Sequence, residues 1–315
     1  MRVAVLDLGT NVFNLLLGSF TTEQCSHICE YKKAARLGAG GLAGGYIAKT
    51  AFETASEALS AIMEKIESCG GAELILPYAT SAVRDAKNGR EFVECMNRRF
   101  GIEIKVISGE QEAEFIFQGI MASLPGELCE RGENILMLDI GGGSNEFVIS
   151  DGQKILWKRS FPIGMARMRE KFPCQDPIPD KIVNSFIEYC TKELEPLWSE
   201  VKRYAPKLFV GSSGSFDTFR DLLYYDREPE KPYKILERER LDKLHSLLLA
   251  SNSQQRLSMP GMSPIRVDYI VLASLFTGLV LERVNPRLIC QSSYSLKEGA
   301  MMVCYKKWLK EKKVF

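Results

Sequence analysis

The sequence predicts an α/β protein with mixed sheets, organised as two related halves. Short apolar runs typical of strands alternate along the chain with longer segments of helical periodicity. A sequence motif made of a strand, an aspartate and a glycine-rich turn occurs twice, at residues 3–17 and 135–149. The 315 residues suffice for two domains of ordinary size. We therefore expect two α/β half-domains that each offer a tight turn to one phosphate-bearing ligand.

The two copies of the motif align residue by residue. The aligned pairs are Asp7 with Asp139, Gly9 with Gly141, and Asn14 with Glu146. Glycine allows positive φ and a close approach of the backbone to a ligand, and successive N–H groups in such a turn bind phosphate oxygens. An adjacent carboxylate can hold Mg²⁺, which prefers oxygen ligands. The alternative is a pair of ordinary glycine hairpins with incidental aspartates.

The rest of the first half alternates helices with strands. A helix is expected from Thr50, which forms a capping box with Glu53, to the glycines at 70–71. The elements expected after it are a strand at 74–76, a helix at about 91–100 and a strand at 102–107.

A second capping box opens the next helix. Ser108, with Gln111 three residues on, begins a helix that runs to about Met121. Glu112 then lies in the first turn of this helix. Residues 122–134 are polar and contain proline and glycine, which indicates a junction between domains.

The second half opens with the repeated strand and reaches a further glycine-rich turn. A strand at 208–210 leads into residues 211–215, Gly-Ser-Ser-Gly-Ser. Residues 225–240 carry dense charge and two prolines, which indicates an exposed loop. The apolar run at 269–281 is too short to span a bilayer and indicates a buried helix.

The composition excludes several classes of function. A formal net charge of +1 gives no overall field for nucleic acid or a membrane surface, and a strand that begins by residue 3 leaves no room for a signal peptide. Nine cysteines without a CxxC pair indicate ordinary thiols in a reducing cytoplasm. With only His27 and His245, a histidine nucleophile or a poly-histidine metal site is disfavoured, and no P-loop sequence occurs. Backbone amides, carboxylates and a few cations remain, a set that suits phosphoryl transfer to water.

Seven short segments carry the most specific pattern in the chain. They begin at Asp7, Arg36, Ala79, Ser108, Asp139, Gly211 and Leu296. In this order they resemble the exopolyphosphatase/guanosine pentaphosphate phosphohydrolase (Ppx/GppA) family of the actin–Hsp70–sugar kinase (ASKHA) superfold. The glycine loops fit the whole superfold, whereas residues 79–85 and 108–113 together are typical of this family.

The resemblance implies two actin-like (ribonuclease H-like) α/β domains with the active site in the cleft between them. The implied domains are 1–122 and 123–298, with a C-terminal helix at about 299–315 that packs back on the first domain. The resemblance corresponds to the short two-domain form of the family. Relatives are commonly homodimers, so a homodimer is expected, with no nucleic-acid or membrane partner.

The resemblance implies an exopolyphosphatase that releases orthophosphate from the end of inorganic polyphosphate with Mg²⁺, or Mn²⁺ in its place. Glu112 would be the general base that activates the attacking water, and Arg84 would neutralise charge on the reacting phosphate. The implied metal ligands are Asp139, Glu146 and Asp7. The implied phosphate-binding residues are Gly9, Thr10, Asn11, Gly141, Gly142, Gly143 and Ser144, and, further along the substrate, Gly211, Ser212, Ser213, Gly214 and Ser215.

Three other functions stay open. They are a guanosine pentaphosphate 5′-phosphohydrolase, an ATP-dependent kinase or ATPase of the superfold, and a non-catalytic sensor that binds guanosine penta- or tetraphosphate. Glu112 argues against the kinase, because a kinase site excludes water, and against the sensor, whose simplest signature would be loss of this residue.

Each residue assignment also has a structural alternative. Glu112 is favoured in a helix first turn by the helix macrodipole alone, and Arg84 beside Asp85 could form a plain surface ion pair. Val12 and Asn14 stand where the family usually has a small hydroxyl residue and a basic residue or histidine. We therefore expect fewer polar contacts near the first turn.

Overall fold

A computed structural model describes residues 1–41, 44–129, 132–173, 176–225 and 231–312. The chain divides into two units, Met1–Gly119 with Ser295–Phe315, and Ile120–Tyr294. Each unit contains one mixed β-sheet with helices. The predicted α/β class with mixed sheets is confirmed.

The described residues form eleven strands and thirteen helices. The strands are β1 (Arg2–Leu8), β2 (Val12–Phe20), β3 (Cys25–Ala34), β4 (Leu74–Ala79), β5 (Lys105–Val106), β6 (Ile135–Ile140), β7 (Asn145–Ser150), β8 (Ile155–Phe161), β9 (Leu208–Ser212), β10 (Tyr233–Ile235) and β11 (Leu288–Ser292). The helices are α1 (Lys49–Ser68), α2 (Ser81–Arg84), α3 (Gly89–Phe100), α4 (Gly109–Ser123), α5 (Gly126–Cys129), α6 (Met165–Lys171), α7 (Asp180–Glu193), α8 (Glu195–Tyr204), α9 (Ser213–Tyr224), α10 (Arg238–Ala250), α11 (Ser253–Leu257), α12 (Ile270–Val284) and α13 (Leu296–Lys312).

The first unit is built on a five-stranded sheet in the order β3-β2-β1-β4-β5. The first three strands form antiparallel pairs, whereas β4 and β5 join them in parallel. Residues 3–6 of β1 are fully buried, because this central strand lies between two neighbours and α13 packs against it. The carboxyl end of β1 therefore emerges from a rigid core, which fixes the turn that follows it.

Tertiary contacts changed two of the elements expected in this unit. Helix α1 begins at Lys49 with Ala48 as its N-cap and has no side-chain cap. The predicted capping box of Thr50 and Glu53 is therefore wrong, although the helix ends just before Gly70 and Gly71, as expected. Strand β5 has two residues instead of the expected six, because only these two pair with β4.

The second unit is built on a six-stranded sheet in the order β10-β11-β9-β6-β7-β8. Strands β6, β9 and β11 run parallel, whereas β7, β8 and β10 are each antiparallel to a neighbour. Every residue of β6 and β7 is buried. The carboxyl ends of β6, β9 and β11 meet at one edge of the sheet, where ligands bind in α/β proteins.

Of two further predictions for this unit, a buried helix and an exposed loop, one is confirmed and the other is wrong. The predicted buried helix at 269–281 is confirmed as α12, and no helix in the described part of the chain has the length and apolar character needed to cross a membrane. The predicted loop at 225–240 is wrong where the chain is described, because it contains β10 and the start of α10. Residues 226–230 of that prediction lie outside the described ranges.

Two glycines allow α4 and α13 to cross in close contact. A Cβ atom added to Gly119 would overlap the carbonyl oxygen of Ser295, and one added to Gly299 would overlap the carbonyl oxygen of Phe115. Both obstacles are backbone atoms, which cannot rotate away as the end of a side chain can. Helix α4, which carries Glu112, is thus fixed by a glycine-dependent contact.

Gly299→Ala is expected to lower the free energy of unfolding by about 1–3 kcal/mol, because overpacking must push the two helices apart. Urea unfolding followed by circular dichroism measures the change. Gly278→Ala is the matched control, because it also lies in a helix but its added Cβ would meet only His245, at 4.0 Å. Unchanged stability of Gly299→Ala would contradict the close crossing.

Candidate active site

The repeated motif forms an antiparallel hairpin in each unit. In the first, Asp7 faces Asn14 across the pair, and Asn14 Nδ2 donates to Asp7 Oδ2 at 2.9 Å. In the second, Asp139 faces Glu146 at the matching position. The two hairpins therefore share a backbone register, but the first pairs a carboxylate with an amide and the second pairs two carboxylates.

The turn of the first hairpin is held through its carbonyl groups. Asn11 O accepts from the N–H groups of Ala35 and Arg36 at 2.9 and 3.0 Å, and Thr10 O accepts from Gly38 N–H at 3.1 Å. In the described ranges, the N–H groups of Thr10 and Asn11 donate none of the backbone bonds that hold this turn. They are thus available to an anion.

The turn of the second hairpin is held in the same way by the start of α6. Gly142 O accepts from Ala166 N–H at 2.8 Å, and Arg167 Nε donates to Gly143 O at 3.1 Å. The Gly141 N–H is used inside the turn, where it donates to Ser144 O at 3.1 Å.

The carbonyl groups of this turn are therefore engaged, whereas three of its amides are not. Gly142, Gly143 and Ser144 donate no backbone bond to any described residue. Of the four phosphate-binding residues predicted in this turn, only Gly141 donates its N–H to a backbone carbonyl of a described residue.

Asp139 is held by two serines, one at the end of the neighbouring strand β9 and the other at the start of α9. Ser212 Oγ donates to Asp139 Oδ2 at 2.8 Å, and Ser213 Oγ lies 2.7 and 2.6 Å from Oδ1 and Oδ2. The parallel pairing of β6 with β9 places Ser212 directly opposite Asp139. The carboxylate, only 5% exposed, is thus oriented by contacts that span more than seventy residues of sequence.

The predicted glycine turn at 211–215 has a different structure from the one expected. Gly211 and Ser212 complete β9, and α9 begins at Ser213 without an intervening loop. The chain changes direction at Ser213, whose φ of 70° is uncommon for a residue other than glycine. Five residues predicted as one turn are therefore a strand end followed by the first turn of a helix.

The two glycines of this segment make room for two side chains. A Cβ on Gly211 would overlap the ring of Phe216, and a Cβ on Gly214 would overlap the guanidinium of Arg266. The close packing of the Phe216 ring explains why residue 211 is glycine. Gly214 instead leaves room for the Arg266 guanidinium at the start of α9.

Arg266 is a candidate phosphate ligand that the sequence patterns missed. Burial lowers the pKa of its guanidinium, and the nearby carboxylates of Asp217 and Asp139 oppose that shift. It lies on the turn that precedes α12, far from the glycine motifs in sequence. The only local signal was a single arginine just before the most apolar segment of the chain.

Glu146 supplies the second carboxylate of this hairpin. It is 1% exposed, and its Oε1 accepts from Ser144 Oγ at 2.6 Å and from Ser160 Oγ at 2.7 Å. Two facing carboxylates with hydroxyl neighbours are the hard oxygen donors that Mg²⁺ prefers.

The donor set therefore fits a divalent ion that is held only partly by protein. No group of three or more acidic, histidine or cysteine side chains suited to a metal occurs in the described residues. Mg²⁺ typically takes one or two carboxylates and completes its shell with water and substrate phosphates. Asp139 and Glu146 meet this requirement; Asp7, the third predicted ligand, belongs to the other unit.

The buried Glu112 forms an ion pair with the half-buried Arg84 in the first unit. Arg84 Nη1 donates to Glu112 Oε2 at 2.8 Å and to Ile107 O at 3.1 Å. Ser108 Oγ accepts from Gln111 N–H at 3.1 Å, which places Glu112 in the first turn of α4, where it is 7% exposed.

The two features expected if Glu112 and Arg84 had purely structural roles are also observed. Glu112 lies in a helix first turn, and Arg84 Nε lies 3.4 Å from Asp85 Oδ1. The Glu112 carboxylate is nevertheless oriented by a guanidinium, and its catalytic role stays a prediction.

Comparisons with known proteins agree on one family. The family described as "Ppx/GppA phosphatase family" matches residues 19–308. The crystal structure of an exopolyphosphatase from Cytophaga hutchinsonii is 31% identical, covers 98% of each chain and superposes with a TM-score of 0.92.

Two curated relatives have different names. A putative exopolyphosphatase from Haemophilus influenzae is 24% identical over 95% of this chain and 90% of its own length. A guanosine-5′-triphosphate,3′-diphosphate pyrophosphatase from Vibrio cholerae is 24% identical over 94% of this chain, which spans 58% of that relative's length.

Proposed function

Because the chain belongs to the Ppx/GppA phosphatase family, we propose that it is an exopolyphosphatase, which releases orthophosphate from the end of inorganic polyphosphate. The observation that carries the proposal is the buried Glu112 carboxylate fixed by Arg84 at 2.8 Å. A carboxylate oriented in this way suits a general base that acts on water. The two relatives named exopolyphosphatase match this chain over 90% or more of their own length, which also supports the proposal.

In the proposed reaction Glu112 orients a water molecule and accepts its proton. The water oxygen forms a bond to the terminal phosphorus, and the bond from that phosphorus to the bridging oxygen breaks. Orthophosphate leaves, and the shortened chain departs as the other product. Arg84 neutralises negative charge on the reacting phosphate while it holds the Glu112 carboxylate.

Each hairpin turn, taken by itself, offers amides to phosphate in this proposal, and so does the start of α9. The amides of Gly142, Gly143 and Ser144 donate to phosphate oxygens, and Arg266 contributes a cation beside Gly214. Asp139 and Glu146 would hold Mg²⁺, and Mn²⁺ would fit the same oxygen donors. When bound, such an ion supplies positive charge to the phosphate oxygens and to the leaving group.

Arg84→Lys is expected to lower kcat/KM by about 10–100-fold, because a single ammonium cannot reproduce a planar group whose Nη1 donates to Glu112 and to the Ile107 carbonyl while its Nε faces Asp85. Steady-state release of orthophosphate from polyphosphate measures the loss. Arg90→Lys is the control, since the Arg90 side chain is 91% exposed and pairs only with Glu94 among the described acids. Equal rates for Arg84→Lys and the control would remove Arg84 from the proposed site.

Guanosine pentaphosphate 5′-phosphohydrolase is the second candidate function, and the name of the Vibrio cholerae relative favours it. Both substrates end in a phosphoanhydride, so the same groups serve either reaction. Orthophosphate release from polyphosphate, guanosine pentaphosphate and ATP, compared by kcat/KM with Mg²⁺, tests the proposal. Preference for polyphosphate supports it, and preference for either nucleotide overturns it in favour of the corresponding alternative.

A further inference from the structure

Residues 163–167, which we call the strap, lie against the turn of the second hairpin at residues 141–144. A Cβ atom added to Gly164 would overlap the amide nitrogen of Ser144 and the carbonyl group of Gly142. These obstacles are backbone atoms, which cannot rotate away as the end of a side chain can. Any residue larger than glycine at position 164 would therefore push the strap and the turn apart.

The strap donates its N–H groups to the carbonyl groups of this turn. The backbone bonds run from Gly164 to Gly143 O at 3.2 Å, from Met165 to Gly141 O at 2.9 Å, and from Ala166 and Arg167 to Gly142 O at 2.8 and 3.2 Å. The Arg167 side chain adds a further bond, from Nε to Gly143 O at 3.1 Å. The first amides of α6 are thus committed to protein carbonyls and are not themselves an anion site.

These bonds determine how the uncommitted amides of the turn are oriented. A peptide group is planar, so the carbonyl of one residue fixes the direction of the next residue's N–H. The strap holds the carbonyls of residues 141–143, and the N–H groups in the same three peptide groups belong to residues 142–144. Those are the three amides of the turn that donate no backbone bond to any described residue. The strap therefore orients the donors that the proposed function assigns to phosphate.

The first unit holds its own turn in the same way. Residues 35–38 follow β3 as the strap follows β8, and their N–H groups donate to the carbonyls of Asn11 and Thr10. In the alignment of the two hairpins, these positions match Gly143 and Gly142. The two segments differ in sequence, Ala-Arg-Leu-Gly against Ile-Gly-Met-Ala-Arg. The recurrence of this contact between unlike sequences indicates that it serves the turn.

We propose that Gly164 and Arg167 are positioning residues, which hold the amides of residues 142–144 in a fixed arrangement for a substrate phosphate. The proposal rests on the proposed function for the identity of the anion. A site that is arranged before binding loses less conformational entropy when the ligand arrives. Disruption of the strap is therefore expected to weaken anion binding more than it weakens the fold.

Two substitutions of Arg167 test the proposal, with binding of tripolyphosphate measured by isothermal titration calorimetry in metal-free buffer. Arg167→Gln removes the positive charge but keeps a donor, because glutamine Nε2 and arginine Nε stand at the same number of bonds from Cα. Arg167→Met gives a side chain of similar length without a donor. Arg167→Met is expected to raise the Kd by about tenfold, and Arg167→Gln by no more than about threefold.

Lys171→Met is the matched control for loss of charge, because Lys171 ends the same helix and its ammonium group lies over the ring of Tyr189. Its Kd should stay within about twofold of the wild type. Thermal unfolding accompanies each titration, and the Tm values of Arg167→Gln and Arg167→Met should agree within about 3 °C. A difference in Kd between two variants of equal stability is one that a merely structural role does not produce.

Gly164→Ala tests the strap at its closest contact with the turn. It is expected to raise the Kd by at least about tenfold, because the added methyl group displaces the turn amides. Gly278→Ala in the same unit is the control, since its added Cβ would meet only His245, at 4.0 Å, and it should leave the Kd within about twofold. If Gly164→Ala fails to fold, the two Arg167 variants decide.

Each outcome bears on the proposal in a defined way. Wild-type affinity in Arg167→Met or in folded Gly164→Ala would overturn the positioning role. An equal loss in Arg167→Gln and Arg167→Met would also overturn it, because the charge of the guanidinium would then be what binds phosphate. A wild-type protein that binds tripolyphosphate but releases no orthophosphate from polyphosphate with Mg²⁺ contradicts only the proposed function. Release without binding of tripolyphosphate contradicts only the positioning role, and absence of both contradicts both.

Discussion

Glu112→Gln is expected to lower kcat for polyphosphate by about 10²–10⁴-fold while KM stays within about threefold. Glutamine has the same shape, and its carbonyl oxygen can still accept the 2.8 Å hydrogen bond from Arg84. It cannot accept a proton from water at neutral pH. Turnover should therefore fall without a matching loss of substrate binding, as measured by steady-state kinetics and by the Kd for tripolyphosphate.

Glu110→Gln is the control for the charge of the helix terminus. Glu110 lies in the same first turn of α4 but is exposed, so its substitution changes the local field without touching the ion pair. Near-normal turnover in Glu112→Gln would assign Glu112 to helix stability instead. An equal fall in both variants would attribute the effect to the helix macrodipole.

Asp139→Asn is expected to lower kcat/KM by about 100-fold or more, because even partners outside the first shell of a metal site cost 10–100-fold when removed. The substitution removes one of two facing carboxylates. It also turns an amide NH₂ toward serine hydroxyls that now donate to the carboxylate. Rates measured over a range of Mg²⁺ concentrations should show a higher requirement for the ion.

Asp180→Asn is the control for this prediction, since Asp180 is an exposed residue at the start of α7 in the same unit. Its kcat/KM should stay within about twofold of the wild type. An unchanged dependence on Mg²⁺ in Asp139→Asn would show that the ion binds elsewhere, and an unchanged rate would remove Asp139 from the site altogether.

The hairpins and the long helices could be predicted because their signals are local. Continuous apolar runs, a glycine turn and an aspartate fix each hairpin within fifteen residues, and α12 is apolar along most of its length. The family resemblance then brought distant segments together, including Arg84 and Glu112. Their roles and those of the phosphate-binding residues stay predictions that the variants above test.

The features that the sequence patterns missed depend on distant contacts. The Thr50 hydroxyl was available as a cap, but packing on the sheet sets the start of α1 one residue earlier. Gly-Ser composition at 211–215 predicted a turn, whereas pairing with β6 and β11 continues the strand to Ser212. Arg266 approaches Gly214 only after the second unit has folded, so no short window of sequence contains that contact.

The two hairpins have the same backbone pattern and differ in the side chains that face each other across it. The turn amides belong to the backbone, so their arrangement does not depend on which side chains the two strands carry. The facing side chains vary independently of the backbone, and they are Asp7 with Asn14 in one hairpin and Asp139 with Glu146 in the other. Exchange of Asn14 and Glu146 would therefore change the number of carboxylates on a hairpin without changing its strand register.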